Sequence, residues 1–305
     1  MSRSLRAGVA GAGSFGRHHA RIYAGMEGVS LASIFDPDLE RGRAIAAEHG
    51  GVATDDLAAF LAACDVITVA SPATTHAATA LAALGAGKSV YVEKPIATSL
   101  EDADALVAAA SRAGVVLACG HQERVASRAM GLLDIPERPT FLEAVRLGPW
   151  SPRNADVSCV LDLMIHDIDL ALALNPSEPL AVEAEGVIDP GPLLDQVRAE
   201  ITLSDGCGLT LEASRIAAAR ERRMRIIFPS GEVEIDFITR SFRNTTPFRL
   251  NADFAETPAG KDPLGGSVAA FVAAVRAETA RPAVTGVEAA RALDLALAVE
   301  MAAGG

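Results

Sequence analysis

An acidic side chain and an imidazole stand one helical turn apart in an otherwise apolar stretch of this chain of 305 residues. Within 160–170 the polar side chains are Asp162, His166, Asp167 and Asp169. At 100° per residue, Asp162 and His166 fall on one face of a helix. A helix that is apolar nearly all round is normally buried, and an unpaired charge there is costly. The two residues therefore either satisfy each other in a core or transfer protons, because an imidazole titrates near neutral pH.

A glycine-rich turn lies where a predicted strand, 5–10, changes into a predicted helix, 14–24. Its contact residues are Gly11, Gly13, Ser14, Phe15 and Gly16. The three glycines permit a tight turn, the approach of a pyrophosphate to the backbone, and close packing of helix on strand. The free amides at the start of the helix then face the phosphates. The motif predicts a dinucleotide site.

The next predicted strand, 29–35, ends in Asp36, 20 residues beyond the last glycine of the motif. From this position a carboxylate reaches the hydroxyls of the adenosine ribose. Pro37 and Asp38 follow, and neither side chain can hold a 2′-phosphate. The sequence therefore predicts NAD rather than NADP as the cofactor.

Two further loops follow short apolar strands and carry polar groups. Ligands bind beyond the carboxyl ends of the strands in an open parallel sheet, so we expect both loops to face the cofactor. Their residues expected to contact it are Ser71, Pro72, Thr75, His76, Glu93 and Lys94. The alternative for Glu93 and Lys94 is a solvated pair beside a proline that begins a helix.

Hydrophobic periodicity predicts the elements that position these residues. Over 1–122, short strands alternate with alanine-rich helices, which is a doubly wound α/β pattern. Over 180–254 the chain reads mostly as strands, and 265–280 and 286–303 read as helices. We expect two consecutive domains, 1–122 and 123–305.

Composition limits the possible partners and compartment. The formal net charge is −12, which argues against nucleic acid and anionic membranes as partners. The sequence contains neither an apolar run of transmembrane length nor a signal-peptide pattern. The four cysteines are far apart, as is typical of buried thiols in a reducing compartment, so we expect a cytoplasmic protein. No ligand spacing predicts a metal site.

In combination, the motifs at 11–16, 71–76, 93–95 and 162–167 resemble those of the Gfo/Idh/MocA family of sugar dehydrogenases over nearly the whole chain. The resemblance implies an N-terminal Rossmann domain followed by an α+β domain with an open, mostly antiparallel sheet. The exposed face of that sheet usually joins subunits in such proteins. A homodimer or homotetramer is therefore expected.

Within the family, the stretches 120–169 and 205–215 are most similar to dehydrogenases that act on UDP-N-acetylglucosamine. This similarity implies oxidation of the C3 hydroxyl of a nucleotide sugar, before an aminotransferase installs nitrogen for lipid A. One departure is that Val125, Ala126 and Ser127 stand where relatives tend to have Phe-Asn-Pro. Substrate contacts at those three positions are therefore not carried over.

Oxidation of a secondary alcohol requires a base for the hydroxyl proton. His166 is the candidate base, Asp162 orients the substrate or the imidazole, and Lys94 stabilises the developing alkoxide. The inverse assignment, with Lys94 as the base, is equally compatible with the sequence. A diphosphate would need guanidinium donors. The candidate substrate ligands are Lys94, Arg124, Arg146, Arg153, Asp162, His166 and Arg215.

Two other functions are compatible with the same sequence. One is a dehydrogenase or reductase of a free sugar or polyol. The other is a regulator that binds NAD without reducing it. The joint presence of Lys94, Asp162 and His166 favours an enzyme over a regulator.

Overall fold

The computed structural model describes residues 4–151 and 156–304, and the chain forms two compact units. The first comprises the chain up to Gly120 together with Leu264–Ala290. The second comprises His121–Pro263 together with the chain from Arg291. The sequence predicts two consecutive domains. The structure differs, because 264–290 belongs to the first unit.

A six-stranded parallel sheet with the order β3-β2-β1-β4-β5-β6 forms the centre of the first unit. Its strands are β1 (Leu5–Ala10), β2 (Val29–Phe35), β3 (Val52–Thr54), β4 (Val66–Val69), β5 (Ser89–Val92) and β6 (Leu117–Cys119). The helices that alternate with them are α1 (Ser14–Gly25), α2 (Leu39–His49), α3 (Leu57–Ala63), α4 (His76–Gly85) and α5 (Leu100–Ala113). This arrangement confirms the predicted Rossmann fold.

Side-chain caps determine where several of these helices begin. Asp38 accepts hydrogen bonds from the amides of Glu40 and Arg41 at the start of α2. At the start of α5, the Asp102 amide donates to Ser99 Oγ over 3.2 Å. Such caps satisfy amides that have no partner within the helix.

The segment 264–290 joins the first unit because of what it buries there. Helix α9 (Pro263–Val275) packs Val268, Phe271 and Val272 into the core of that unit. Phe271 contacts the Tyr91 ring with 5.8 Å between centroids, and the Tyr91 hydroxyl donates to Ser267 Oγ over 3.0 Å. Periodicity shows that a helix has an apolar face, but it does not show against which core that face packs.

The second unit contains a seven-stranded sheet with the order β13-β12-β11-β7-β10-β9-β8. Its strands are β7 (Phe141–Leu147), β8 (Pro179–Val187), β9 (Gln196–Leu203), β10 (Gly208–Ser214), β11 (Glu221–Phe228), β12 (Gly231–Asp236) and β13 (Ser241–Asn244). Strands β7 and β10 are parallel, and the other neighbours are antiparallel. The expected open, mostly antiparallel sheet is thus confirmed.

The remaining helices are α6 (Glu123–Met130), a π-helical turn (Val160–Met164), α7 (Ile165–Leu174), α8 (Pro258–Lys261) and α10 (Gly286–Ala302). Strand β9 illustrates how the sheet of the second unit divides its faces: Val197 and Ala199 are buried, whereas Arg198 and Glu200 are exposed. Period-two alternation therefore gives this sheet one apolar and one charged face. Within 4–151 and 156–304, no helix has the length and hydropathy needed to cross a bilayer.

Candidate active site

The glycine turn of the first unit has the features that a pyrophosphate site requires. Gly11 has a φ of +106°, and a Cβ atom there would lie 2.5 Å from the amide nitrogen of Ser71. Gly13, Ser14 and Phe15 are exposed, and a Cβ atom on Gly13 would meet no other atom within 4 Å. Helix α1 begins without a side-chain cap or an acidic residue in its first turn. Its amides and the positive end of its dipole are therefore oriented toward an anion.

Asp36 lies beside this turn, at the end of β2. Its Oδ2 accepts a hydrogen bond from the Ala12 amide over 2.6 Å, and its Oδ1 accepts one from the Asp38 amide over 2.9 Å. A carboxylate offers about four acceptor sites, so acceptor sites remain for two ribose hydroxyls. The glycine turn and Asp36 together fit NAD.

His76 connects the two polar loops that follow β4 and β5. Its Nδ1 lies 2.8 Å from the Pro95 carbonyl oxygen, and its Nε2 lies 2.9 Å from the Ser71 carbonyl oxygen. Within the first of these loops, Thr75 Oγ1 donates to Ser71 Oγ over 2.7 Å. His76 is buried, with both ring nitrogens facing backbone carbonyls. Its contribution in this structure is to hold the two loops together.

Glu93 is buried, so the alternative of a solvated pair is wrong for this residue. Its Oε1 lies 2.7 Å from His19 Nε2 of α1. Burial by itself raises the pKa of Glu93, but the hydrogen bond and charge of His19 outweigh it, so the net pKa is lowered. A Cβ atom at Gly120 would lie 2.7 Å from Glu93 Oε2, which explains the glycine there. Lys94, the next residue, is half-buried.

The Asp162 and His166 segment does not form one continuous α-helix. Residues Val160–Met164 form a π-helical turn, and α7 follows it. Ser158 Oγ accepts a hydrogen bond from the Val160 amide over 3.1 Å at its start. Asp162 and His166 are both half-buried, whereas most of their neighbours are fully buried. The segment therefore leaves its two predicted catalytic side chains partly accessible, and π-turns are frequent at functional sites.

The carboxylate beside His166 belongs to Glu123, at the start of α6. Glu123 Oε2 lies 3.0 Å from His166 Nδ1, although the two atoms are not aligned as in an ideal hydrogen bond. Glu123 Oε1 accepts a hydrogen bond from Arg146 Nη1 over 2.9 Å. Burial raises the pKa of Glu123, but the charges of His166 and Arg146 outweigh burial and hold that pKa well below its ordinary value. Glu123 is therefore ionised.

Three of the arginines predicted to bind a diphosphate form buried ion pairs instead. Arg124 pairs with Asp169, Arg146 pairs with Asp167, and Arg215 pairs with Asp195 and donates to the Val157 carbonyl. Each guanidinium already has a carboxylate partner, so in this arrangement each fastens elements of the second unit. The fourth predicted arginine, Arg153, lies outside the described residues.

His121 packs beside His166 with its ring nearly perpendicular, at 6.2 Å between centroids. Its side chain is buried, and neither ring nitrogen has a hydrogen-bond partner among the described residues. Burial lowers the pKa of His121 to about 4, against the attraction of Asp169. His121 is therefore neutral at neutral pH.

Sequence reasoning missed Glu123, Asp167 and His19 as members of these clusters. One signal could have found the first two: in β7, Arg146 occupies the same face as the buried Leu142 and Ala144. An arginine on the apolar face of a strand requires carboxylate partners. Within the described parts of the chain, no group of three or more His, Cys, Asp or Glu is arranged to hold a metal ion.

Two family models match the chain. Residues 5–121 match the oxidoreductase family with an NAD-binding Rossmann fold, and residues 140–234 match the GFO/IDH/MocA C-terminal domain. The UDP-N-acetylglucosamine 3-dehydrogenase of Acidithiobacillus ferrooxidans is 36% identical over 98% of this chain and 97% of its own. Its crystal structure matches with a TM-score of 0.90 over the same shares of both chains.

Less similar proteins match as well. The D-apiose dehydrogenase of Paraburkholderia graminis is 29% identical over 86% of this chain and 74% of its own. The WlbA dehydrogenase of Bordetella pertussis, solved with NADH and UDP-GlcNAcA, is 19% identical and shares the fold with a TM-score of 0.88 over 100% of this chain and 96% of its own. With both domain models matched and a dehydrogenase aligned from end to end, the chain belongs to the Gfo/Idh/MocA family and is an NAD-dependent oxidoreductase acting on the CH–OH groups of sugars.

Proposed function

We propose that this enzyme oxidises the C3 hydroxyl of UDP-N-acetylglucosamine to a 3-keto sugar. The observation that carries the proposal is the 36% identity, over 98% of this chain, to a dehydrogenase named for that reaction. The half-buried Asp162 and His166 support it, because they provide a partly accessible acid–base pair in the second unit. NAD, when bound at the glycine turn and Asp36, supplies the hydride acceptor.

The proposed catalytic residues are Lys94, Asp162 and His166. His166 accepts the hydroxyl proton as hydride leaves the carbon, a role worth about 10²–10⁴-fold in rate. Asp162, on the preceding turn, accepts a hydrogen bond from the sugar and orients it. The Lys94 ammonium stabilises the oxygen on which negative charge develops. We assign the base to His166 rather than to Lys94, because the Glu123 carboxylate lies 3.0 Å from His166 Nδ1 and would stabilise a protonated imidazole.

We assign the diphosphate to other arginines, because three of the four predicted ones are already paired with carboxylates. We propose Arg222 in their place, together with Arg153. Arg222 stands opposite Arg146 in the pairing of β7 and β11, so both side chains project from the same face of the sheet. Arg222 is exposed and forms no ion pair with any described residue. An exposed guanidinium on that face suits bidentate contact with a phosphate.

The product suggests the next reaction. A 3-keto sugar is disfavoured at equilibrium relative to its alcohol, so we propose that an aminotransferase consumes it to make a 2,3-diamino sugar for lipid A.

We also propose that the charged face of the second unit's sheet joins subunits into a homodimer or homotetramer. Analytical ultracentrifugation would test this proposal.

We propose a cytoplasmic location for the protein. The buried free thiols of Cys64, Cys119, Cys159 and Cys207 support it.

A coupled assay tests the substrate. The enzyme and NAD are incubated with UDP-N-acetylglucosamine, N-acetylglucosamine or myo-inositol, with and without an aminotransferase and an amino donor. We expect NADH to accumulate with the UDP-sugar and to accumulate faster when the ketone is consumed. Preferential turnover of either free compound would overturn the substrate assignment and leave the dehydrogenase assignment standing.

A further inference from the structure

We infer that Glu123 is a positioning residue for His166: its carboxylate holds the proton on Nδ1, so that Nε2 receives the substrate proton. The inference rests on the proposed function to the extent that a hydroxyl proton must be removed. Sequence reasoning gave an orienting role to Asp162. The carboxylate that lies 3.0 Å from Nδ1 in the structure is Glu123.

Four side chains form a closed ring that fixes this carboxylate. Glu123 Oε2 faces His166, and Glu123 Oε1 accepts from Arg146 Nη1 over 2.9 Å. Arg146 in turn donates to both oxygens of Asp167, from Nε over 2.9 Å and from Nη2 over 2.8 Å. Asp167 directly follows His166 in α7, so the ring closes through the helix backbone. Strand β7 and helices α6 and α7 thus all contribute to the orientation of one imidazole.

Burial strengthens the electrostatic interactions within this ring. The Arg146 side chain is 3% exposed, and those of Glu123 and His166 are 17% and 15% exposed. Charge pairs shielded from water interact more strongly than those on the surface. His166 and Glu123 keep a small exposed fraction, whereas Arg146 is almost fully enclosed.

The other charged and titratable groups near His166 lie on its own segment, on α6 and on β11, and next to them is the ring of His121. On its own segment stand Asp162, Asp167 and Asp169; Asp169 is paired with Arg124 of α6. Burial lowers the pKa of His121 to about 4, so this neighbouring ring does not take up a proton at neutral pH. From β11, Arg222 acts on Arg146 and Glu123 as a further positive charge. Glu123 is thus the acid whose charge directly opposes an imidazolium at position 166.

In the proposed reaction, His166 gains the proton that the substrate hydroxyl loses. The substrate O–H bond breaks as an N–H bond forms at His166 Nε2, and the carbinol C–H electron pair leaves as hydride to oxidised NAD. The imidazole becomes a cation with N–H bonds at both nitrogens. The fixed negative charge of Glu123 stabilises that cation, in the manner in which a buried aspartate serves the histidine of a serine protease. Glu123 therefore makes His166 a stronger base in the transition state.

The first test is kinetic and uses Glu123→Gln, which keeps the shape but removes the charge. We expect kcat to fall at least about tenfold, and the acid limb of the kcat/KM profile to move to lower pH, because a protonated His166 loses its counter-charge. Glu123→Asp should restore part of both effects. Glu27→Gln removes the same charge from an exposed position of the first unit, away from the sheet face proposed to join subunits, and is the matched control. A Glu123→Gln profile that coincides with the control would overturn the inference.

The second test does not depend on turnover or on the identity of the sugar. Long-range ¹H–¹⁵N correlation spectra of the wild-type protein, assigned with His166→Gln, report which ring nitrogen is protonated. We expect the Nδ1–H tautomer for His166, and a mixture of tautomers in Glu123→Gln. An Nε2–H tautomer in the wild-type protein would overturn the inference even if the enzyme oxidised UDP-N-acetylglucosamine. Failure of that substrate with the Nδ1–H tautomer present would instead count against the proposed function.

Discussion

The Arg124 guanidinium and the Asp169 carboxylate form a two-point hydrogen-bonded ion pair in the interior of the second unit. Arg124 Nε donates to Oδ2 over 2.7 Å, and Nη2 donates to Oδ1 over 2.8 Å. The Asp169 side chain is inaccessible to solvent, and that of Arg124 is 7% exposed. The pair fastens α6 to α7, the two helices that carry Glu123 and His166.

We expect Arg124→Ala to lower the free energy of unfolding by about 3–5 kcal/mol, because it leaves a buried carboxylate without its partner. Urea unfolding measures this change. Arg198→Ala, whose side chain is exposed and paired with Glu200 over 3.3 Å, should change it by less than about 1 kcal/mol. If Arg124→Ala raised KM for the nucleotide sugar with no loss of stability, Arg124 would instead be the substrate ligand that the sequence predicts.

Asp36 should determine the choice of cofactor. Its carboxylate lies at the glycine turn, where it would accept hydrogen bonds from the ribose hydroxyls and repel a 2′-phosphate. We expect the wild-type protein to bind NAD more tightly than NADP, and Asp36→Ser to weaken that preference. Calorimetric titration with both cofactors measures it, and Asp104→Ser, at an exposed position of α5, controls for the loss of charge. Equal affinity of the wild-type protein for both cofactors would contradict this prediction.

Replacement of the proposed base and of the proposed electrostatic stabiliser should stop the chemistry without unfolding the protein. We expect His166→Gln and Lys94→Met each to lower kcat by roughly 10²-fold or more, because each removes an interaction made in the transition state. NAD titration should give a near-normal Kd for His166→Gln, whereas Lys94→Met should still bind NAD but with a weaker Kd, because Lys94 lies in a loop expected to face the cofactor. Lys261→Met, at an exposed lysine paired with Glu256, is the control for loss of an ammonium. Near-normal turnover by either variant would remove that residue from the catalytic set.

Much of the first unit follows from the sequence because its signals are local. A glycine turn and an acid after the next strand each depend on neighbours along the chain, and both stand where the pattern predicts them. The return of α9 to the first unit has no such signal. Its apolar face fits several cores, and the contacts that place it, such as that of Phe271 with Tyr91, form only in the folded chain.

The candidate site is less predictable from the sequence, because tertiary contacts rather than local patterns bring its residues together. Asp162 and His166 stand out because they interrupt an apolar run. Glu123 does not, because a glutamate at the start of a helix is ordinary until tertiary structure brings His166 within 3.0 Å of it. Arg146 and Arg215 resemble phosphate ligands in the sequence, yet tertiary structure gives each a carboxylate partner.

The KM for the UDP-sugar should show which arginines bind its diphosphate. We expect Arg222→Ala to raise KM for the UDP-sugar several-fold with little change in kcat, since a diphosphate contact is equally strong in ground and transition states. Arg153→Ala should behave in the same way. Arg225→Ala, an exposed arginine of the same strand that is paired with Glu232, should leave KM unchanged. An unchanged KM in Arg222→Ala would show that the diphosphate binds elsewhere.

His121 should make the protein sensitive to mild acid. Burial lowers its pKa from 6.5 to about 4 in the folded state, so between these values the unfolded chain binds more protons than the folded one. The free energy of unfolding therefore falls as the pH falls from 6.5 to 4. Titration of His121 contributes on the order of 3 kcal/mol to this fall and nothing above pH 6.5. His121→Gln, which cannot titrate, should flatten that part of the stability profile measured by urea unfolding. His49→Gln, at the end of α2, should retain the slope. A slope that persists in His121→Gln would show that other groups cause the acid sensitivity and that the ring at position 121 is not held neutral beside His166.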